Sequence, residues 1–448
     1  MKYKTIIMAN IAEAFEEVLE GIKNPEERRM RIMLEHNLCD RTLLWERDNK
    51  IIITPLPIPP LLLEKNKEVL SFKNCLNVFP KNVDINLSEA IIKDPVVLRK
   101  LITIIKNNPG INISPYAVTP SFISLVCYLK HQNLNFAVQE RPAEGSDWTV
   151  QYLDSKIGSR TEIDKIKSKN INTPQSVICR NKSEAVSAAK WFYVKDFSCV
   201  IKANFGEGGW GTIMIKTREY KSWKDALEKI NAEFFTDSIW DNSLILVEEY
   251  IPVKKGIFGG YPSSELLLSK KGYQVTYICD QIVTKDGKFL GITLGKNSLN
   301  GKIKNKIKKV SMLVGEKFWK MGYRGFFDID FVLSGKNQTP YIIETNMRRT
   351  GGTHIFDTAK SVFGENWDKK TFIISQDSFY YGEKILSGKV IFEKMREILF
   401  PINKDKKGVI ISIINKWQPT FGFIVIEKSF DAAIKMHSKI KNIWNIKN

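Results

Sequence analysis

Two acids, an amide and a guanidinium lie close together near the end of a pair of apolar runs: Asp330, Glu344, Asn346 and Arg348. Asp330 sits in FDIDF (327–331), and Glu344 follows the apolar run YII (341–343). If these two runs are adjacent strands, Asp330, Glu344 and Asn346 can present oxygens to one point. Hard oxygen donors without His or Cys suit Mg²⁺ bridging nucleotide phosphates. A metal would also offset the desolvation cost of acids beside apolar strands. Arg348 then offers a planar donor fork for a phosphate or a carboxylate. The plain alternative is a set of strand-end acids facing water.

A second candidate is the glycine loop GEGGWG (206–211). It matches G-x-G-x-x-G, but a dinucleotide site requires a helix next, and TIMIK (212–216) is strand-like. No G-K-[ST] closes the loop, so a P-loop is excluded. No H-R-D or D-F-G follows, which excludes a protein kinase. What is left is a strand, a glycine loop and a strand. The amides of Gly206, Gly208 and Gly209 can donate to phosphate oxygens. Lys202, on CVIK (199–202), alternates away from its apolar neighbours. A simple hairpin with a surface lysine is the competing reading. LILVEEYI (244–251) reads as a buried strand with a polar end, where Glu248 and Ile251 can hold an adenine through backbone groups in a crevice. The same pattern fits a purely structural strand.

These residues need elements to position them. Residues 4–9 read as a strand, 13–34 as a helix, 83–106 as two helices parted at Pro95, and 115–129 as a helix opened by Thr119 and Pro120. The segment RPAEGSD (141–147) is the best linker. In the middle of the chain, 198–203 and 212–216 form a hairpin and 222–234 a helix. Residues 243–247, 266–268, 274–279, 326–333 and 340–344 read as strands. Residues 302–320 form an amphipathic helix with Ile307, Val310, Val314 and Phe318 on one face. The tail has a small α/β pattern of its own: strands at 409–414 and 421–426, and a helix at 430–443. Alternating strands and helices predict an α/β fold with α+β lobes. The expected units are 1–150, 151–365 (a flap lobe at about 170–250 and a core at about 251–365), and 366–448.

Composition narrows the function classes. The chain has 448 residues, 43% of them apolar and 11% aromatic, which excludes disordered, collagenous and low-complexity proteins. The net charge of +19 favours anionic partners such as nucleotides and acidic substrates. No apolar run is long and unbroken enough for a membrane span; 51–63 is interrupted by four prolines. The N-terminus lacks the features of a signal peptide. Six scattered cysteines without C-x-x-C, and four histidines, argue against zinc. They read as reduced, mostly buried thiols of a cytoplasmic protein.

Together, Lys156, Lys202 with its glycine loop, Glu248 to Ile251, Asp330 and Glu344-x-Asn346 resemble the ATP-grasp superfamily, over roughly residues 150–360. The spacings, 156 to 202 and 330 to 344, are similar to those of its D-alanine–D-alanine ligase branch. The resemblance implies an ATP-grasp fold behind an N-terminal α/β pre-ATP-grasp domain. It implies ATP as cosubstrate, with Lys156 and Lys202 on its phosphates and Glu248 and Ile251 at the adenine. Glu265 is implied at the ribose, and Asp330, Glu344 and Asn346 as Mg²⁺ ligands. Two positions depart from the branch: Asp328 stands where an Arg is common, and Glu249 replaces the hinge Lys. Arg348 and Arg349 are the alternative phosphate-stabilising groups. The run RRTGGTH (348–354), the long N-terminal region and the C-terminal piece also resemble pheganomycin-type peptide ligases.

The implied reaction activates a carboxylate as an acyl phosphate, which an amine then attacks. Arg348 and Lys202 are the implied catalytic residues, and His354 is a candidate to deprotonate the amine or simply to order its loop. A phosphotransferase that stops after phosphate transfer is one rival. A basic protein binding nucleic acid or acidic surfaces is the other. The lysines between 296 and 309 lack interleaved aromatics for base stacking, which argues against nucleic acid. The expected partners are small-molecule or peptide carboxylates and amines, with no membrane; a homodimer is left open.

Overall fold

A computed structural model of the chain describes residues 3–206, 209–236, 238–241, 243–253, 259–284, 287–335 and 337–446. Gly208, one of the expected phosphate-binding glycines, lies outside them.

The N-terminal strands are β1 (Thr5–Met8), β2 (Lys50–Ile53), β3 (Cys75–Val78), β4 (Ile111–Pro115) and β5 (Phe136–Ala137). They form a parallel sheet of order β3-β2-β1-β4-β5. The expected helix over 13–34 is broken. Short helical turns at 12–20 give way to a fresh helix, Pro25–Leu38. The Asn24 side chain accepts from the amides of Glu26 and Glu27, and Pro25 occupies the first turn, so the chain restarts there. Thr119 caps the helix Pro120–His131 as expected.

The middle lobe holds β6 (Ser176–Cys179), β7 (Cys199–Ala203), β8 (Thr212–Ile215) and β9 (Ile245–Glu249), in the order β6-β9-β7-β8. The β7–β8 hairpin carries the glycine loop. This lobe has its own apolar core, in which Phe192, Ile201, Ile213, Ile230 and Val247 meet.

The remaining strands are β10 (Pro262–Ser269), β11 (Gly272–Val283), β12 (Phe289–Gly295), β13 (Gly325–Leu333), β14 (Pro340–Asn346), β15 (Phe372–Tyr380), β16 (Gly408–Ile414) and β17 (Thr420–Glu427). They make one eight-stranded sheet, β14-β13-β10-β11-β12-β15-β17-β16. The tail therefore extends the core sheet instead of building a separate one: β15 pairs with β12 through Thr293 and Ile374. The sequence conceals this because both faces of β16 and β17 are buried and the strands read as continuous apolar runs.

Two cores weld the N-terminal sheet to the rest. Ile6, Ile113 and Phe122 pack with Leu266, Phe318 and Phe327. Phe15, Trp45 and Leu62 share a cluster with Phe421, Phe423 and Val425. The helix Gly301–Lys320 buries Ile307, Val310, Val314 and Phe318, as its periodicity predicts, and Asn300 caps it. Each such buried side chain contributes about 1.5–3 kcal/mol, so β10 and β13 are held firmly under the site. No helix among the described residues is long and apolar enough to cross a membrane. The cysteines are all free, and five of the six are buried.

Candidate functional site

The acids come together on the hairpin β13–β14. Asp330 is in register with Glu344, and Asp328 with Asn346. A bulge between Asp330 and Phe331 re-aims the strand beside the site. Asn346 Nδ2 donates to Asp330 Oδ2 at 3.1 Å. The Gln281 amide, on β11, donates to the other Asp330 oxygen.

Lys156 opens the helix Lys156–Asp164, whose N-cap Ser155 accepts from the Gly158 amide. Asn204, just past β7, receives the amides of Lys156 at 2.9 Å and Ile157 at 3.1 Å, so the helix start is tied to the flap. Lys156 Nζ lies 2.7 Å from Glu344 Oε1 and donates to the Gly206 carbonyl at 3.2 Å. Lys202 reaches from β7 to the Ile343 carbonyl at 3.0 Å and pairs with Glu248. Arg160 meets the other Glu248 oxygen at 2.7 Å. Arg348 pairs with Asp154 at 3.2 Å and lies 4.6 Å over the Phe15 ring. Gly206 lines the cleft with Glu344, Asn346 and Arg348. Gly209 adopts φ +97°, a conformation glycine tolerates.

The electrostatics are uneven. Burial pushes the Asp330 carboxyl well above its ordinary value, and Asp328 and Glu344 push it further. Asp328, buried and bonded by Ser263 Oγ at 2.5 Å, is raised to about 6 for the same first reason. Burial also works against ionised Glu344, yet Lys156, Lys202 and Arg348 outweigh it and hold that carboxyl below its ordinary value. Among the described residues no three of His, Cys, Asp and Glu are grouped to hold a metal. Two carboxylates and an amide do fit Mg²⁺, which keeps several waters and takes phosphate oxygens. Asp330, held by amides and crowded by Asp328 and Glu344, is pushed toward its protonated form, and a bound cation would favour its ionised form.

Five further residues of the sequence reading, Glu248, Ile251, Glu265, Arg349 and His354, take the following places. Glu248 lies in mid-sheet, in register with both Ser176 and Val200, so its backbone faces neighbouring strands and its side chain does the bridging. Ile251 follows two residues past the end of β9. Glu265 is fully buried, taking hydrogen bonds from Thr276, Tyr277 and Thr353, and does not line the cleft. Arg349 is buried against Glu140 at 2.7 Å and Ser114 at 2.8 Å, which makes it a tether to the N-terminal sheet. His354 is also fully buried, and burial drives its pKa well below the ordinary value, so it faces no substrate. The RRTGGTH run looks polar in sequence, but the helix Thr353–Phe363 turns its first residues inward. Sequence reasoning missed Arg160, Gln281 and Glu13. Their partners lie on distant elements, as with Arg160 and Glu248, and no local spacing marks them.

The family model of the ATP-grasp domain matches residues 160–352. No curated protein matches the sequence. Among solved structures, an N5-carboxyaminoimidazole synthase from Aspergillus clavatus, in complex with ADP and 5-aminoimidazole ribonucleotide, superposes with a TM-score of 0.56 at 10% identity, covering 99% of each chain. The biotin carboxylase domain of Hydrogenobacter thermophilus 2-oxoglutarate carboxylase, with MgADP, ADP and bicarbonate, gives 0.55 at 12% identity, covering 98% of this chain and 89% of that one. Biotin carboxylase from Campylobacter jejuni gives 0.53 at 12%, covering 99% and 91%. At these identities the likeness is one of fold. Residues 160–352 are an ATP-grasp domain, and the chain as a whole has the ATP-grasp fold.

Proposed function

We propose that this protein is an ATP-dependent carboxylate–amine ligase that forms a peptide or amide bond and releases ADP and phosphate. The observation that carries the reading is the position of Lys156, which touches both the acid Glu344 on the core sheet and the Gly206 carbonyl on the flap. That lysine joins the two halves of a phosphate site. ADP and MgADP in the structural neighbours support the cosubstrate. On this reading the division at about 150 and 365, the cytoplasmic location and the kinship to pheganomycin-type ligases belong to the proposal as well.

The chain's own residues supply most of what the chemistry needs. Lys156 and Lys202 spread the charge of the transferring phosphoryl group. Arg348, fixed by Asp154 and Phe15, orients the substrate carboxylate with its donor fork. A carboxylate oxygen attacks the γ-phosphorus and ADP leaves. The amine nitrogen then attacks the acyl carbon, and phosphate departs with the bonding electrons. The flap, with Phe205 lining the cleft, excludes the water that would hydrolyse the intermediate. Asp330, Glu344 and Asn346 would hold Mg²⁺, whose charge neutralises the phosphates when it is bound.

The test is ADP and phosphate release across pooled carboxylic acids and amines. The reading predicts turnover that requires both pools. AMP as product contradicts it, and ADP release without any amine requirement points to the phosphotransferase.

A further inference from the structure

The bases around the site differ in what holds them. Lys202 has Glu248, which it shares with Arg160, and Arg348 has Asp154. Lys156 pairs, among the described residues, with no acid but Glu344, which the ligase reading gives to Mg²⁺. The two groups lie 2.7 Å apart and the lysine is 7% exposed, so solvent screens the pair little. Burial works against the Glu344 carboxylate, and Lys156 leads the cations that outweigh it.

This lysine is anchored at its backbone and not at its tip. The Asn204 carbonyl accepts from its amide at 2.9 Å, and Ser155 caps its helix. The four-carbon stem leaves the ammonium able to change partners. Its second bond, to the Gly206 carbonyl at 3.2 Å, is long and has a neutral acceptor. The ammonium therefore lies between the core sheet and the glycine loop, where the ligase reading puts the phosphates. A phosphate oxygen is a stronger acceptor than that carbonyl. A metal ion arriving alone meets the opposite situation. It must share Glu344 with an ammonium already on Oε1, and two cations on one carboxylate repel each other.

We propose that Lys156 bars Glu344 to a metal ion until a nucleotide phosphate draws the ammonium away, so that Mg²⁺ enters with the nucleotide and not before it. The inference rests on the ligase reading, which supplies the nucleotide and the metal. The step is an exchange of partners in which no covalent bond forms or breaks. The ammonium passes from carboxylate to phosphate, and the carboxylate passes from ammonium to metal. Lys202 is no such bar, because its carboxylate, Glu248, belongs to the lobe and is not among the metal candidates.

The experiment is calorimetric titration of the full chain with Mn²⁺ alone, an ion that takes the same oxygen donors as Mg²⁺. Lys156→Gln removes the charge and keeps a polar side chain. It is expected to bind Mn²⁺ at least about tenfold tighter than wild type, the order of the one charge-assisted hydrogen bond that the ion no longer displaces. Lys156→Arg keeps the charge and should stay as weak as wild type. The gain should be lost in the Lys156→Gln, Glu344→Gln double variant. Equal Mn²⁺ affinity in wild type and Lys156→Gln overturns the proposal. So does a gain that persists without Glu344, or one that Lys156→Arg shows as well. Wild type supplies a check of its own: Mn²⁺ bound without nucleotide as tightly as MgADP overturns the proposal even if no variant folds. The MgADP titration separates the two assignments. If wild type fails to bind MgADP, the ligase reading and this proposal fall together. If wild type binds MgADP and Lys156→Gln gains nothing for Mn²⁺, this proposal falls alone.

Discussion

On the lobe side of the cleft, Glu248 is met by two cations, Arg160 at 2.7 Å and Lys202. On the core-sheet side, Asp330 is met by the amides of Gln281 and Asn346 and, among the described residues, by no base. Glu248 belongs to β9 of the middle lobe and Asp330 to β13 of the core sheet. One has its charge balanced by the protein. The other is crowded by Asp328 and Glu344 and pushed toward the neutral form. On the proposed function, the contrast says where the nucleotide's cation would sit: with the core-sheet acid, because the lobe carboxylate already has its cations.

Breaking the core-sheet side should have the largest effect on turnover. Glu344→Ala is expected to lower ADP release about a thousandfold or more, the scale of roughly 4 kcal/mol typical for removing a phosphoryl-stabilising charge. The fold should survive, because the Glu344 side chain is 25% exposed and sits at a strand end. Near wild-type ADP release would remove Glu344 from the phosphate site.

Breaking the lobe side should show in stability instead. Glu248→Ala leaves Arg160 and Lys202 buried without their carboxylate, and removing one partner of a buried pair costs about 3–5 kcal/mol. Lys202→Met leaves Glu248 with Arg160, so it should lose less stability than Glu248→Ala while still weakening ATP turnover. Denaturant melts of the two variants decide this. Equal stability losses would mean that the pair is not the lobe's keystone.

A buried acid far from the cleft sharpens the comparison. Asp40 accepts from the Ile414 amide at 3.3 Å, and burial raises its pKa to about 7. Its folded form therefore holds a proton that the unfolded chain releases near the ordinary carboxylate value. The stability gained from that proton is full below the unfolded value and is lost as pH rises through about 7. The thermal midpoint of the wild type should fall by a few degrees across that window, and Asp40→Asn should flatten the slope without touching Mg²⁺ response. An unchanged slope would show that Asp40 does not carry the pH dependence.

The site was more legible in sequence than the fold around it. Asp330, Glu344, Asn346 and Arg348 are joined by one short hairpin, so local pattern alone placed them side by side. Lys202 bonds the Ile343 carbonyl across a large sequence separation, a meeting that nothing in the sequence anticipated. Arg160 carries no signal at all, since a helical Arg before a distant strand looks like any surface charge. Arg349 was hard to read because burial is not written in residue type: a guanidinium reads as exposed until Glu140 is folded against it, whereas the burial of His354 agrees with the reading that it orders its loop. The helices at 87–107 and 301–320 were plain because proline, caps and a 3.6-residue period agree. The strands β12 and β15 were not seen, because their pairing is non-local. The same non-local pairing merges the tail with the core sheet.

The most direct measurement of the central claim is the Mg²⁺ dependence of ATP binding by calorimetry in wild type and in Asp330→Asn. Asp330→Asn removes the carboxyl group that an ion would ionise and hold, while the lobe pair of Lys202 and Glu248 stays intact. In wild type, Mg²⁺ should tighten ATP binding by at least about tenfold, the order of one charge-assisted contact. In Asp330→Asn that gain should disappear, with metal-free ATP binding no weaker than in wild type. A full Mg²⁺ gain in Asp330→Asn would contradict the account and show that the core-sheet acids do not serve the nucleotide's cation.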